Sequence, residues 1–381
     1  MARIYHLNTT LGYNAPGRLV SRLMALARGE GHAVRAAYAF GEDARADGCR
    51  VGSTADRYAH ALLTRITDLH GHGSTTATRR VIADMERFGP TVVHLHNLHG
   101  YWLDVPLMLR HLAEMRLPVV WTFHDFWPLT GHCAFPQTAG CGRWLDDGGC
   151  SHCPALRRYP ASWGADRSAR NFAERRRLIG ALQLLRPVAV SQWQAGLISR
   201  ALPRAPQCEA IHNPVDTGIF TISDSPRDPH LVLGAASVWD YRKGLDRFIE
   251  LRRVLGPEYT IRLAGLTRRQ ARRLPPGIEA VARISDPAAL ARFFGSGRVF
   301  VNLSRAETLG MVNLEARACG TPVVSLSAGG MAETVPAGTG ILLDSFDPLA
   351  VARAISAAPP PGAAIRPAPD SARAYLPLYL P

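Results

Sequence analysis

The stretch RVFVNLSRAETLGMVNLEARACGTPVVSLS, residues 298–327, contains two short apolar runs on either side of an amphipathic segment. The two runs, 298–304 and 321–327, are rich in Val and bounded by loop residues, which is typical of buried strands. The segment between them carries apolar residues at helical spacing from about Met311 onward. A strand, a helix and a second strand in this order predict a parallel βαβ unit.

The same alternation runs through most of the chain. Before residue 212 a helix is predicted at 17–32, and strands are predicted at 3–7, 33–40, 91–98, 118–123 and 188–191. Residues 212–230 lack periodicity and are rich in Pro and Asp, as linkers are. The strand pattern then restarts at 231–238 and 259–266. We therefore predict an α/β chain of two tandem Rossmann-like domains, each a doubly wound parallel sheet, facing a cleft.

The predicted domain boundaries follow the changes in composition. The first domain spans 1–212, the linker 213–229 and the second domain 230–356. Residues 357–381 begin as a Pro/Ala linker and end in a short predicted helix with Asp370 or Ser371 as its N-cap.

Composition limits the classes of protein to consider. The chain has 381 residues, 47% of them hydrophobic, and no apolar stretch of the roughly 20 residues that cross a bilayer. The first residues lack the apolar run of a signal peptide, and seven cysteines are an odd number for a disulfide framework. We predict a cytoplasmic protein.

The net charge of +13 favours an anionic partner, and residues 1–212 carry +9 of it. A basic amphipathic helix is predicted at 166–186, with Arg170, Arg175, Arg176 and Arg177 beside its apolar stripe. It fits either a helix docked on its own domain with a solvated basic edge, or one that also attracts an anionic membrane surface or a lipid diphosphate acceptor. A nucleic-acid-binding protein is an alternative, although no nucleic-acid motif is present. A nicotinamide-dependent enzyme is another, although no G-x-G-x-x-G follows the first strand.

Two glutamates stand out in the opening stretch. Glu307 and Glu315 are separated by seven residues, the first in the predicted strand-to-helix turn and the second about one turn into the helix. Gly310 permits close backbone approach, and the N–H groups of Gly310, Met311 and Val312 are placed to face an anion. A helix cap and a surface glutamate explain the same residues equally well.

Lysine occurs once in the chain, at Lys243 in VWDYRKGLDRF (238–248). Every other basic side chain is arginine. Lysine offers a compact charge where the wide arginine fork is less suitable, so a functional site is one interpretation and chance is the other.

The ordered set of motifs resembles the retaining nucleotide-sugar glycosyltransferases of family 4, which have two Rossmann-like domains (the GT-B type). The resemblance rests on the E-x7-E stretch and on five other segments, APGRLVSRLMALARGEGHAV, VVHLHNLHGYWLDVPLMLRHL, PVVWTFHDFWPLTGHC, VAVSQW with IHNPVDTGIF, and WDYRKGLDRFI. It covers nearly the whole chain and is closest to transferases that build bacterial exopolysaccharide. It implies donor binding by the second domain, acceptor binding by the first, and return of the C-terminal helix to the first.

The resemblance also implies residue roles. Glu315 is expected to bind the ribose, and Arg242 with Lys243 the diphosphate. Glu307 and the backbone of Thr308, Leu309, Gly310, Met311 and Val312 are expected to hold the transferred sugar and the phosphates. The expected catalytic residues are His124, Lys243 and Glu307, with Gly17 beside the donor. The expected acceptor-binding residues are Asn14, His96, Asn97 and Tyr101.

The activity so implied is transfer of a sugar, with retention, from a nucleotide-diphosphate sugar to a saccharide or lipid-linked saccharide in cell-surface polysaccharide synthesis. The site of action is expected to be the cytoplasmic face of the membrane. No D-x-D motif is present, so no cofactor is expected to be required for catalysis. His94, His96 and His99 resemble a metal cluster, but we favour cleft or core histidines.

Four cysteines cluster within 21 residues, Cys133, Cys141, Cys150 and Cys153, with spacing C-x7-C-x8-C-x2-C. Four thiolates suit a structural zinc site. The first two spacings are irregular, so free thiols are an equal alternative.

Overall fold

A computed structural model of the chain describes residues 1–41, 47–146, 148–223, 226–362 and 371–380. It divides into two compact units, Met1–His212 with Ser371–Pro381, and Asn213–Asp370. No helix among the described residues combines the length and the apolar character needed to cross a bilayer.

The first unit contains a parallel sheet of seven strands among its described residues. Counting a separate two-stranded sheet, the described strands of this unit are β1 Arg3–Leu7, β2 Thr10–Leu11, β3 Ala33–Tyr38, β4 Phe40–Gly41, β5 Gly48–Arg50, β6 Val92–Leu95, β7 Val119–Phe123, β8 Leu185–Ala189 and β9 Glu209–Ala210. The order across the large sheet is β5-β3-β1-β6-β7-β8-β9, and β2 pairs separately with β4. The helices are α1 Asn14–Gly29, α2 Thr54–Thr67, α3 Thr75–Phe88, α4 Val105–Met115, α5 Ser168–Gly180 and α6 Gln192–Ala201.

The second unit repeats this architecture with six described parallel strands. They are β10 Asp228–Ala235, β11 Thr260–Ala264, β12 Ile278–Val281, β13 Gly297–Asn302, β14 Val323–Leu326 and β15 Gly340–Leu343, in the order β12-β11-β10-β13-β14-β15. The helices are α7 Leu245–Val254, α8 Arg268–Ala271, α9 Pro287–Gly295, α10 Met311–Ala318 and α11 Pro348–Ala357.

Both faces of the first sheet are covered, which explains why its strands are apolar without alternation. Tyr5 and Leu7 of β1 belong to one buried cluster, and Ile4 belongs to another. The second cluster also contains residues of α1 and of a C-terminal 3-10 helix, Ala372–Tyr379. Tyr375 and Tyr379 of that helix are 0% and 3% exposed. The C-terminal segment therefore completes the first unit, and the predicted fold class is confirmed.

The structure corrects two predictions about elements. The basic helix predicted at 166–186 ends at Gly180, and Leu185 pairs with Val119 as the first residue of β8. The helical spacing of its leucines misled because Leu185 is buried as a strand residue. In addition, β10 begins at Asp228, within the predicted linker.

Candidate functional site

In both sheets the strand order reverses next to the first strand of the unit. The reversal lies between β1 and β6 in the first unit, and between β10 and β13 in the second. Doubly wound sheets bind ligands outside the carboxyl ends of the strands at such a point. The segments that follow these four strands contain most of the predicted site residues.

In the second unit, Lys243 and Glu307 meet although 64 residues separate them. The Lys243 ammonium donates to Glu307 Oε1, and Arg242 Nη1 lies 3.0 Å from Glu307 Oε2. Ser304 Oγ donates to Glu307 Oε1 at 3.2 Å. Both oxygens of a carboxylate that is 8% exposed are therefore occupied, and the cluster carries one net positive charge.

The electrostatics of this cluster favour the ionised form of Glu307 and disfavour that of Lys243. Burial raises the pKa of Glu307, but Lys243 and Arg242 outweigh burial, and the pKa lies below its ordinary value. Burial lowers the pKa of Lys243 more than Glu307 raises it. A buried carboxylate between two cations stabilises the fold only while all three charged groups are present, because removing one of them leaves an uncompensated buried charge.

The turn that carries Lys243 is locked onto the loop after β13. Arg305 N–H donates to the Arg242 carbonyl at 2.7 Å, and the Arg305 guanidinium pairs with Asp246 at 2.9 and 2.6 Å. Gly244 adopts a φ of +71°, and a Cβ there would lie 2.5 Å from the Leu303 carbonyl oxygen. Only glycine fits this close approach, so the sequence Lys-Gly is needed to bring the ammonium to Glu307.

Helix α10 starts at the same place. Its N-cap Gly310 has a φ of +91°, and no side chain caps the first turn. Asn313 anchors the helix, because its Oδ1 accepts from Asn302 Nδ2 at 2.9 Å and its Nδ2 donates to Thr334 Oγ1 at 2.9 Å. The positive end of the helix therefore adds to the field of the cation cluster.

The remaining predicted donor residues lie in the same segment. Thr308 and Leu309 are 8% and 1% exposed, so this segment presents its backbone rather than these two side chains. Met311 and Val312 are half-buried in the first turn of α10. Glu315 lies further along α10 and is 3% exposed. Sequence reasoning missed Ser304 and Asn313, and their polar side chains beside two buried strands were the available signal.

In the first unit, the first turn of α1 holds two predicted residues together. Asn14 has a φ of +54°, and its Oδ1 accepts from the Gly17 N–H at 3.2 Å and from Thr10 Oγ1 at 3.0 Å. A Cβ at Gly17 would lie 2.7 Å from Thr10 Oγ1. Asn97, after β6, receives a bond from Thr9 N–H at its carbonyl and donates its own N–H to Asn8 Oδ1. These loops are tied to each other at the carboxyl ends of β1 and β6.

His124 directly follows β7 and ends a row of buried histidines. Its Nε2 lies 3.2 Å from His96 Nδ1, and His96 Nε2 lies 3.4 Å from His6 Nδ1. Burial lowers the pKa of His124 to about 4 and that of His6 to about 3, and it holds the pKa of His96 well below the ordinary value. All three rings are therefore neutral near pH 7. His96 is 1% exposed and positions the His124 ring through this contact.

The structure does not bring together His94, His96 and His99, the three histidines that the sequence suggested as a metal cluster. His94 and His96 lie beside His6, and these three offer ring nitrogens within 4.8 Å of one another. His94 already uses both nitrogens inside the core, toward Tyr379 Oη and Thr122 Oγ1, each at 2.8 Å. This pairing suits a core histidine.

His99 points elsewhere. Its Nε2 lies 2.7 Å from Asp125 Oδ2, and its Nδ1 lies 2.9 Å from Tyr159 Oη. Tyr101, with a φ of +63°, packs its ring 6.2 Å from that of Tyr159. Asp125 was not predicted, although it follows His124 at the strand end.

The basic helix α5 also differs from its predicted role. Arg175, expected on a solvated edge, is 5% exposed and donates to the carbonyls of Trp127 and Thr130 at 2.9 and 2.7 Å. Arg170 and Arg177 of the same helix are exposed.

The chain matches two family models. The model described as Glycosyltransferase Family 4 matches residues 17–218, and the model described as Glycosyl transferases group 1 matches residues 229–358. Among solved structures, a sucrose-phosphate synthase from Thermosynechococcus elongatus has a TM-score of 0.65 at 17% identity, covering 94% of this chain and 89% of that chain. Anabaena HepE in complex with UDP-glucose has a TM-score of 0.59 at 16% identity, covering 94% and 89%. These likenesses are likenesses of fold.

Curated relatives match over shorter stretches. The putative colanic acid biosynthesis glycosyl transferase WcaC of Escherichia coli (strain K12) is 35% identical over 135 residues, which are 34% of this chain and 32% of the relative. D-inositol 3-phosphate glycosyltransferase 1 of Catenulispora acidiphila is 41% identical over 85 residues, 21% of this chain and 20% of the relative. The chain thus aligns with a third or less of the length of these relatives. The Family 4 model, in contrast, covers more than half of the chain, so the resemblance inferred from the motifs is confirmed and the chain belongs to glycosyltransferase family 4.

Proposed function

We propose that this chain is a retaining, metal-independent transferase that moves a sugar from a nucleoside-diphosphate sugar to a saccharide or lipid-linked saccharide. The observation that carries the proposal is the cluster of Lys243, Arg242 and Glu307 at the point of strand reversal, beside the first turn of α10. Family membership supports glycosyl transfer as the reaction that we assign to this cluster.

The chemistry asked of the cluster is stabilisation of a leaving group. The bond between the anomeric carbon and the diphosphate oxygen breaks while a bond to the acceptor hydroxyl forms, and the hydroxyl proton passes to the departing diphosphate. Negative charge grows on that diphosphate. Fixed cations and helix-terminal N–H groups stabilise such charge without reorganisation. Lys243, Arg242 and the start of α10 supply both kinds of group.

Glu307 then has two duties. In the unliganded chain it pairs with both cations and offsets one of their two charges, and with the donor bound its oxygens bind the hydroxyls of the transferred sugar. Glu315 is assigned to the ribose and His124 to the transferred sugar, as the resemblance implies. Gly17 is assigned to the donor as well. The neutral state of His124 suits hydrogen bonding to hydroxyls rather than charge neutralisation.

The donor base and the acceptor are assigned from the relatives. HepE is described in complex with UDP-glucose, so we propose a uridine nucleotide as the first donor to test. WcaC is described as acting in colanic acid biosynthesis, so we propose cell-surface polysaccharide synthesis at the cytoplasmic membrane face. Asn14, Asn97 and Tyr101 are assigned to the acceptor, with His96 behind His124. The net positive charge of the first unit fits an anionic membrane surface.

Calorimetry on the purified full chain with UDP tests the donor site. Lys243→Met and Glu315→Ala should each weaken UDP binding about tenfold or more, since a hydrogen bond to a charged group contributes about 1.5–3 kcal/mol. Arg262→Met is the matched control, because Arg262 of β11 forms an ion pair with Glu279 of the edge strand β12. Equal UDP binding by all four proteins would overturn the site assignment.

The type of reaction needs a separate measurement. Incubation with UDP-sugars and membrane extract, with chelator present, should give a product whose anomeric configuration by NMR equals that of the donor. An inverted product, or a reaction abolished by the chelator and restored by Mg²⁺, would contradict the proposal.

A further inference from the structure

The four clustered cysteines converge in the first unit, away from the residues assigned above. Cys133, Cys141, Cys150 and Cys153 line one cavity of about 10 Å³, roughly the space of one small ion. None of them is paired in a disulfide. The described part of the segment 130–167 contains only short 3-10 helices, Pro136–Ala139 and Arg143–Leu145. A loop of this length in a folded domain needs a constraint other than regular secondary structure.

One of the four sulfur atoms already accepts a hydrogen bond from the backbone. The Gly131 N–H donates to Cys150 Sγ at 3.2 Å. The Arg143 guanidinium donates to the carbonyls of Ser151 and His152, which holds the segment before Cys153 against the cavity. Hydrogen bonds of this kind to ligands and their backbone orient metal sites.

Two basic groups, Arg175 and His132, lie beside the cavity. Arg175 is buried, and no carboxylate of a described residue lies within 4.0 Å of its guanidinium. His132 also lines the cavity, and its Nδ1 lies 2.5 Å from Asp68 Oδ1. Its Nε2 is buried without a hydrogen-bond partner among the described residues. Arg175 donates to backbone carbonyls, but a buried cation is further stabilised by a counter-ion, and a buried nitrogen without a partner is costly. Arg175 and His132 Nε2 therefore favour an anionic occupant of this site.

We propose that Cys133, Cys141, Cys150 and Cys153 bind one Zn²⁺ as a structural site. Each thiol releases its proton to solvent as its sulfur becomes a ligand, and the resulting Zn(Cys)4 centre carries two negative charges. Those charges lie beside the buried cation of Arg175 and beside His132 Nε2, which has no hydrogen-bond partner among the described residues. Four protein ligands leave no position open for water, so the site stabilises the loop and takes no part in catalysis.

The loop must close slightly to bind the ion. Among the described residues, His6, His94 and His96 form the group whose three ligand atoms all lie within 4.8 Å of one another. No three of the four cysteine sulfurs are as close together as this. Zinc–sulfur bonds of about 2.3 Å in a tetrahedron bring sulfurs to about 3.8 Å from one another. Cys141, Cys150 and Cys153 are only half-buried, and Gly140, Gly142 and Gly149 lie between the ligands, so the backbone of the loop can adjust at low cost.

Elemental analysis of the full chain, produced with added zinc and passed through metal-free buffer, tests the proposal. We expect about one zinc per chain in the wild type and in Cys49→Ser, the matched control at a half-buried cysteine outside the cluster. Cys133→Ser and Cys153→Ser should retain a small fraction of that zinc. Removing zinc from the wild type with a chelator should lower Tm, and adding Zn²⁺ should restore it.

A second measurement keeps the test independent of variant folding. Co²⁺ added to the metal-free wild type should give the thiolate-to-cobalt absorption of a four-sulfur site, and Zn²⁺ should displace it. Wild-type protein without zinc and with four freely titratable cluster thiols would overturn the proposal. A Cys133–Cys153 disulfide found by mass spectrometry would overturn it as well, as would Cys153→Ser with one zinc at wild-type affinity. None of these readouts depends on glycosyl transfer.

Discussion

Glu307→Gln should destabilise the second unit and at the same time improve its binding of diphosphate. Glutamine keeps the size of the side chain and removes its charge, so Lys243 and Arg242 are left without their counter-ion. Breaking a buried ion pair by removing one partner costs about 3–5 kcal/mol. The side chains of Lys243 and Arg242 are 14% and 19% exposed, so water reduces this cost. We therefore expect a loss of about 2–3 kcal/mol.

The same change frees two cations for an anionic ligand. In the wild type a diphosphate must share Lys243 and Arg242 with Glu307. In the variant it receives both, and inorganic pyrophosphate should bind about tenfold more tightly, which corresponds to about 1.4 kcal/mol. Sugar transfer should nevertheless fall, because the hydroxyls of the transferred sugar lose their charged acceptor.

Thermal unfolding and calorimetry measure both effects. For a unit of this size, 1 kcal/mol shifts Tm by about 2–4 °C, so the variant should unfold about 5–10 °C lower in pyrophosphate-free buffer. Saturating pyrophosphate should recover more of Tm in the variant than in the wild type. Glu279→Gln is the control, because Glu279 pairs with Arg262 at 2.6 Å but is 51% exposed, and such pairs contribute about 0–1 kcal/mol.

An unchanged Tm in Glu307→Gln would show that the cations do not depend on the carboxylate. A lower affinity for pyrophosphate in the variant would show that Glu307 organises the cations rather than competing for them. Either result would refute the reasoning from the ion cluster.

Three further predictions follow from individual contacts. Lys243→Arg should retain the fold but lose most transfer activity in a donor-turnover assay, since the wider guanidinium does not fit where the ammonium contacts Glu307, and near-normal turnover would mean that charge alone suffices. Asn313→Ala should lower the free energy of unfolding by about 3 kcal/mol in urea titrations, because buried partners at the start of α10 lose their hydrogen bonds, and a change below about 1 kcal/mol would contradict this. For pH, folded-state values of about 4 for His124 and about 3 for His6 lie below the ordinary value of 6.5, so the unfolded chain binds more protons and stability is lost as pH falls from about 6.5 toward 4. All buried histidines of the described residues lie in the first unit. As the pH is lowered to 5, amide hydrogen exchange should therefore accelerate in the first unit before it accelerates in the second. Equal acceleration in both units would contradict the assignment of this pH dependence to the buried histidines.

Much of the fold was readable from local pattern. The strand predicted at 3–7 occurs at Arg3–Leu7, and both parallel sheets follow from the alternation of apolar runs and amphipathic helices. Strands buried on both faces need continuous apolar side chains, so their positions can be recognised in the sequence as apolar runs. The error at 166–186 arose because a buried leucine is compatible with both a helix and a strand. Only the pairing of Leu185 with Val119 of β7 shows that it belongs to a strand.

The motifs also led to the assignment of residues to a donor site, and the structure brings the lone lysine and Glu307 together beside one strand reversal. Their contacts were beyond the sequence. That Lys243 and Arg242 share Glu307, 64 residues away, depends on the adjacency of β10 and β13 and on the close approach of Gly244 to Leu303. Adjacency of strands is a property of the folded sheet and not of the order of residues.

The first unit shows the same division. The sequence determined that four cysteines, a strand-end histidine and a basic helix are present, and their residue types limited the chemistry to thiolate ligands, a titratable ring and positive charge. Only the tertiary structure decided that Arg175 is buried next to the thiols and that His96 supports His124. Burial sets protonation and partner choice, and burial is fixed by packing between segments far apart in the chain, which no local pattern encodes.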